Sequence, residues 1–250
     1  MVERQEQMVE VHVDRRRDPL EQLLLLAILG VIVLALIGAV YLLVTRVVNP
    51  PAPRTALEAQ LVAVREATIT NPYSGEVWAD YITALIAVED YREAGSVLDE
   101  AMAVLEGDAL LLVEISGVDL FLAQERYEDA FELAEKAVVL VEELRDEVIR
   151  DAMARGIHAD PKLYGPDITT DVYLNHARAA AGLEKWAVVV ESLSTAIEYT
   201  PRAADLFYLR GDAYTHLDQI DKAIADFNSA LMFDPEFDAA RAALEKVGER

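Results

Sequence analysis

The sequence predicts an all-α protein, with one membrane-spanning helix followed by a row of helical hairpins. Three observations carry that class. Leu23–Val44, LLLLAILGVIVLALIGAVYLLV, is a run of 22 residues without a charge. Beyond it, apolar residues recur at helical spacing, and no alternating stretch is long enough to build a sheet. Small and large apolar positions in the C-terminal part then repeat at an interval of 34 residues.

Composition separates two regions. The chain of 250 residues is 53% hydrophobic yet carries a formal net charge of −23. From Pro51 onward, 17 Lys and Arg stand against 39 Asp and Glu, a net of −22. So acidic a region repels phosphate, which argues against nucleic acid as a partner. There is no Cys, so disulfides, thiolate metal sites, cysteine nucleophiles and thioether haem attachment are excluded. Arg outnumbers Lys 17 to 5, the balance expected of a GC-rich bacterial genome.

The apolar run reads as an uncleaved single-pass anchor. Twenty-two residues at a rise of about 1.5 Å span about 33 Å, against a hydrocarbon core of about 30 Å. A signal-peptide core is shorter, about 7–15 residues, and Tyr41 to Arg46 offers no small-x-small cleavage site. Arg4, Arg15, Arg16 and Arg17 precede the run, while Arg46 and Arg54 follow it. The positive-inside rule therefore expects residues 1–22 in the cytoplasm and the rest of the chain on the far side. Ala35 and Ala39 form a small-xxx-small pair, read here as ordinary membrane-helix composition. Residues 45–54, with Pro50, Pro51 and Pro53, read as an extended spacer holding the acidic region away from anionic headgroups.

The acidic region, 55–250, opens with a helix over Thr55 to Thr70. Its repeat is clearest near the C-terminus. Pro201 and Pro235 are 34 residues apart, as are Val189 and Ala223, Leu193 and Phe227, Ala196 and Ala230, Trp186 and Ile220, and Tyr173 and Phe207. The last unit, 204–237, has Phe207, Gly211, Tyr214, Ile220, Ala223, Phe227, Ala230 and Pro235 in this register. In that order the residues resemble the tetratricopeptide repeat (TPR) family, departing in Arg210 for the usual Leu and Phe207 for the usual Trp. Unit 170–203 keeps Tyr173, Ala177, Trp186, Leu193, Ala196 and Pro201. Two earlier units are looser. Unit 75–108 has Trp78, Leu85, Tyr91, Ala94, Leu98 and Ala101, and unit 111–144 has Phe121, Tyr127, Ala130, Ala134 and Ala137, with Gly117-Val118 near its helix contact. Residues 238–248 read as a capping helix.

The resemblance implies a TPR-like α-α solenoid, in which each hairpin buries its apolar face only by stacking on the next. It also explains the small residues. Gly inside a helix costs about 1 kcal/mol relative to Ala, a cost tolerated where another backbone must come close. The repeat is interrupted once, at 143–168, where a charged helical continuation gives way to a loop marked by Gly156, Pro161, Gly165 and Pro166. Insertions in such arrays are loops on one face, either near a binding surface or tolerated surface excursions.

Nothing in the sequence supports catalysis. His158, Asp160, Asp167 and Asp171 gather near the insertion, but their spacing matches no EF-hand or zinc motif, and loops collect Asp for turns alone. His12, His176 and His216 are scattered, and no HExxH, GxSxG, GxGxxG or Walker sequence occurs. The expectation is a non-enzyme without metal, cofactor or small-molecule substrate.

The family's concave groove is what remains. Carried residue by residue, the resemblance places Asp205, Tyr208, Asp212, Thr215 and His216 of the last unit on it, with Asp171, Leu174, Asn175 and Arg178 of the unit before. The early units contribute Glu76, Ala79, Thr83 and Ile86, then Leu112, Ile115, Asp119 and Leu122. Chaperone-binding members of the family clamp a C-terminal carboxylate with Lys, Arg and Asn. Here only Asn175 and Arg178 are of that kind, so an apolar and acidic groove points to a protein or peptide partner with basic segments. The expected function is a membrane-anchored scaffold in a complex or assembly pathway. Two alternatives stand beside it. One, from layout only, is a c-type cytochrome biogenesis factor presenting apocytochrome to haem-ligation machinery. The other is an enzyme with its site in the insertion.

Overall fold

The computed structural model describes residues 28–37, 55–158 and 165–248, and the chain divides into two units, Met1–Arg54 and Thr55–Arg250. In the first unit, residues 28–37 are helical and exposed throughout. The rest of the predicted span at 23–44, the tail 1–22 and the spacer 45–54 lie outside the described residues. Among the described residues, no helix is long and apolar enough to cross a membrane.

The second unit is an all-helical, TPR-like solenoid. Its helices are α1 (Ala56–Thr70), α2 (Gly75–Ala87), α3 (Tyr91–Val104), α4 (Gly107–Ala123), α5 (Tyr127–Ala154), α6 (Pro166–Gly182), α7 (Trp186–Tyr199), α8 (Ala204–His216), α9 (Ile220–Phe233) and α10 (Asp238–Gly248). Local chemistry sets several starts. Ser74 Oγ accepts from the Val77 N–H and Asp90 Oδ1 from the Glu93 N–H, capping α2 and α3. Pro166 opens α6 in the first turn, where its missing N–H costs nothing. Hairpins pair α2 with α3, α4 with α5, α6 with α7 and α8 with α9, while α1 packs on α2 and α10 on α9.

Each hairpin turns through the same device. Glu89, Glu125, Glu184 and Asp218 adopt the left-handed conformation, with φ of 60°, 57°, 55° and 57°. The following N–H groups, of Asp90, Arg126, Lys185 and Gln219, reach back five residues to the carbonyls of Leu85, Phe121, Ala180 and Tyr214 at 2.9–3.0 Å. This satisfies the orphan carbonyls at the end of each first helix, in the manner of a Schellman motif. Gly is the usual occupant of such a site, because a side chain there costs about 1–2 kcal/mol. All four positions carry an acid instead.

In three of the hairpins the two helices meet at a pair of residues 16 apart. In the last hairpin the pair is Arg210 and Asp226, joined by Nε to Oδ2 at 2.8 Å and Nη2 to Oδ1 at 2.9 Å. Arg210 Nη1 also donates to Ser194 Oγ of α7 at 3.1 Å. One hairpin earlier, His176 Nδ1 and Ser192 Oγ lie 2.8 Å apart. Earlier again, a Cβ on Gly117 would come within 2.7 Å of the Leu133 side chain. Arg210, a departure from the family's Leu, thus has its compensation in Asp226.

Close approach at Gly211 is equally plain. A Cβ there would stand 2.7 Å from the Phe227 ring and 3.3 Å from the Ala223 carbonyl oxygen, both buried. Gly211→Leu should therefore overpack the α8/α9 contact and cost about 1–3 kcal/mol. A thermal melt with an unchanged midpoint would refute this reading of the repeat. Between hairpins the joint is an aromatic ring. Trp186, at the start of α7, stacks on His216, at the end of α8, with centroids 3.8 Å apart. Tyr127, at the start of α5, takes the same place over Gly182, whose Cβ would meet that ring at 2.1 Å.

The irregularity lies in α5, whose 28 residues double the 14 of α7 and α9. The overlength part is tied to the next hairpin. Tyr173 Oη donates to Glu142 Oε1 at 2.5 Å, and Arg145 pairs with Glu142 and donates to Tyr199 Oη at 3.1 Å. His158 is exposed, and Asp160 lies outside the described residues. Among the described residues no group of three His, Asp or Glu could hold a metal ion.

Candidate functional site

The first helices of successive hairpins bring the predicted groove residues into four registers. Glu76, Leu112, Asp171 and Asp205 share one, and Ala79, Ile115, Leu174 and Tyr208 the next. Thr83, Asp119, Arg178 and Asp212 form the third, and Ile86, Leu122 and Thr215 the fourth, which Ala181 joins in the structure without having been predicted. Glu76, Thr83, Asp171, Arg178, Asp205, Asp212 and His216 are exposed, while the apolar members, Tyr208 and Thr215 are partly covered. The result is a carboxylate-rich face with an apolar floor.

One pair shows how near equivalent positions lie. Arg178 Nη1 of α6 meets Asp119 Oδ1 of α4 at 2.7 Å, across two hairpins in the same register. The same Nη1 donates to Asn175 Oδ1 at 3.0 Å, and Asn175 Nδ2 donates to the Ile115 carbonyl at 3.2 Å. Asn175, placed on the groove by the resemblance, is buried at 5% exposure and bridges α4 and α6. The two residues of clamp character are thus spent on each other and on α4. Asp171 reaches solvent, yet partial desolvation against the neighbouring helices, then Asp167 and Asp119, raise its carboxyl above the usual range. Asp205 and Asp171 make no ion pair among the described residues, and Asp212 meets only the His216 ring, at 3.7 Å.

The floor closes at one end and opens at the other. Near the N-terminus α2 and α4 touch directly, with Gly75 so close to Ala109 that a Cβ would overlap its backbone. Among α6, α7 and α8 a small cavity of about 70 Å³ is lined by Arg178 and Asp212 together with Ala181, Trp186, Leu193 and Leu209. Between α8 and α10 a larger cavity of about 310 Å³ opens, walled by Tyr208, Asp212, Thr215 and Phe227 on one side and Ala239, Ala242, Ala243, Lys246 and Val247 on the other. The α10 wall escaped the sequence reading, which gave that helix a capping role only. Its signal was the spacing 239, 242, 243, 246, 247, one face of a helix with three alanines.

Comparison with known proteins places the fold and little more. No family model matches the chain. Over 79 residues, 32% of this chain, it is 28% identical to sperm-associated antigen 1 of Mus musculus, and the match spans only 9% of that protein's length. Among solved structures, BtubC (BKLC) from P. vanneervenii superposes with a TM-score of 0.54 at 18% identity, covering 78% of this chain and 91% of that one. MamA from Desulfovibrio magneticus RS-1 superposes at 0.51 with 18% identity, covering 74% and 89%. The second TPR domain of human RPAP3, in complex with the HSP70 peptide SGPTIEEVD, scores 0.42 at 20% identity and covers 55% and 93%. The likeness to BtubC and MamA shows the all-helical fold alone.

Proposed function

We propose that the chain is a non-catalytic, membrane-anchored scaffold whose concave groove holds a partner protein or peptide segment rich in Lys or Arg. One observation carries the partner's charge. The groove's own cation, Arg178, is already neutralised by Asp119 at 2.7 Å, so Glu76, Asp171, Asp205 and Asp212 leave the face strongly negative. Arg178 in effect rehearses the contact that a partner's guanidinium would make with Asp171 or Asp205. A partner ending in an acidic C-terminus finds no spare cation on these registers. Anchoring rests on the uncharged 22-residue run, whose length suits a bilayer, and on the Arg cluster before it, which favours a cytoplasmic N-terminus.

Cross-linked pull-down from membranes with the anchor intact, comparing the wild type with Asp171→Lys/Asp205→Lys, tests the groove. The expected result is a partner recovered by the wild type and lost by the double variant, with the contact weakening as salt rises. A partner retained equally by both proteins would overturn the reading. Resistance to alkaline extraction, together with an alkaline phosphatase fusion active after Arg250, is the expected result for the anchor and its sidedness.

A further inference from the structure

We infer that α10 is a wall of the binding site, and that the cavity between α8 and α10 seats one apolar side chain of a partner segment that also carries a neighbouring Lys or Arg. The inference deepens the proposed function and rests on it. Its starting point is the uneven floor of the concave face. At the first two hairpins the neighbouring helices are in contact, and at the next junction Asn175 and Arg178 bridge the gap. Where α6, α7 and α8 meet, only a small cavity of about 70 Å³ remains. At α8/α10 the opening reaches about 310 Å³, because α10 presents Ala239, Ala242 and Ala243 where larger side chains would fill the gap.

The seat is apolar within and charged at its edge. Tyr208 and Phe227 have ring centroids 6.0 Å apart, and Phe237 lies 5.1 Å from Tyr208, so the Tyr208 ring is braced by two others. Asp212 stands at the rim and is exposed, and Asp205 lies two turns earlier on the same helix. Lys246 is the cation on the opposite wall and is also exposed, so it does not offset both carboxylates. An extended segment lying along α8 would place an aliphatic or aromatic side chain between Tyr208 and Ala243, with a basic residue on either side meeting Asp205 and Asp212. Charge complementarity selects such a segment over an acidic one, and burial of the anchor supplies the affinity.

The test uses the full chain held in lipid nanodiscs and three fluorescein-labelled peptides, GSGRLRGSG, GSGELEGSG and GSGRGRGSG, read by fluorescence anisotropy. GSGRLRGSG should bind, the acidic peptide should not, and the peptide without Leu should bind on the order of tenfold more weakly. Ala242→Leu fills the seat from an exposed position on the helix, so its thermal melt should match the wild type while its affinity for GSGRLRGSG falls on the order of tenfold. Asp212→Asn should weaken GSGRLRGSG and leave the ranking by Leu intact. Ala225→Leu, exposed on α9 and outside the four groove registers, should change nothing. If Ala242→Leu binds normally while Asp212→Asn weakens binding, the seat is wrong and the groove reading survives. Equal binding of the basic and acidic peptides, or no binding of GSGRLRGSG, would overturn both.

Discussion

Arg210→Ala is expected to destabilise the repeat domain by about 3–5 kcal/mol, the cost of leaving a buried charge without its partner. Asp226 is 8% exposed at its side chain and Arg210 18%, and two parallel bonds at 2.8 and 2.9 Å hold them. Without the guanidinium, the Asp226 carboxylate keeps its desolvation and loses its counter-ion. Ser194 of α7 loses a donor as well, so the damage extends across the junction with the preceding hairpin. The companion variant Arg210→Leu/Asp226→Leu removes both charges and restores the family's usual Leu at 210. Because a buried pair replaced by apolar residues of similar volume is often neutral or better, it should recover most of the loss. Urea melts of the two variants decide the matter. Equal destabilisation by both would mean that Arg210 acts through packing of its stem, with the ion pair contributing nothing.

The second large effect is a function of pH. Glu114 sits in α4 with 5% of its surface exposed, and its Oε2 has no hydrogen-bond partner among the described residues. Burial pushes its carboxyl up to about 7, with Lys136 opposing only in part. In the unfolded chain the same group ionises near its ordinary value of 4.5. Below that value both states hold the proton and burial of the acid has no linkage cost. Between about 4.5 and 7 the unfolded state gives up its proton first, so stability falls as pH rises, and above 7 the loss is complete. At about 1.4 kcal/mol per unit the full loss is about 3 kcal/mol. Glu114→Gln should therefore stabilise the domain by about 3 kcal/mol near pH 8 and by almost nothing near pH 4. A gain that is constant with pH would show that charge is not its cause.

His176 works from the other side. Burial holds its imidazole below the usual histidine range, against the pull of Glu135 and Glu191. Its unfolded counterpart takes a proton first as pH falls through about 6.5, so this group removes stability toward acid. The two groups thus act in opposite senses over the mildly acidic range, Glu114 costing stability as pH rises and His176 as it falls.

Much of this fold is legible in the sequence because it is written in steric terms. Gly211, Ala223 and Ala177 mark helix crossings by being small, and the 34-residue interval survives since a whole hairpin must stack on the next. The ends of elements are harder to read. α4 starts at Gly107 and α6 at Pro166, each four residues ahead of the unit that contains it, because caps and first turns depend on local backbone geometry that periodicity ignores. Arg210 reads as a flaw until Asp226 appears beside it, and a partner 16 residues away on another helix leaves no local trace. Glu89, Glu125, Glu184 and Asp218 look like solvated charges, whereas their backbones turn every hairpin. The groove registers follow from the repeat, but the repeat cannot show that the Ile115 carbonyl claims the Asn175 amide. The cavity at α10 was missed for a simpler reason. Three alanines on a terminal helix read as good helix formers, and only the neighbouring Tyr208 and Phe227 make them a wall.

The crossing pairs bear on how freely such an array can be rearranged. Ion pair, imidazole–hydroxyl bond and bare glycine occupy one geometric place in three successive hairpins. A chimera joining α8 to α7 would set a guanidinium against a hydroxyl, and one joining α4 to α9 would leave a carboxylate facing no side chain at all. Halves of different hairpins are therefore not exchangeable parts. The protein looks modular along its length, yet each module carries its own lock and key, and shuffling them would break the chain's stability before it touched the groove.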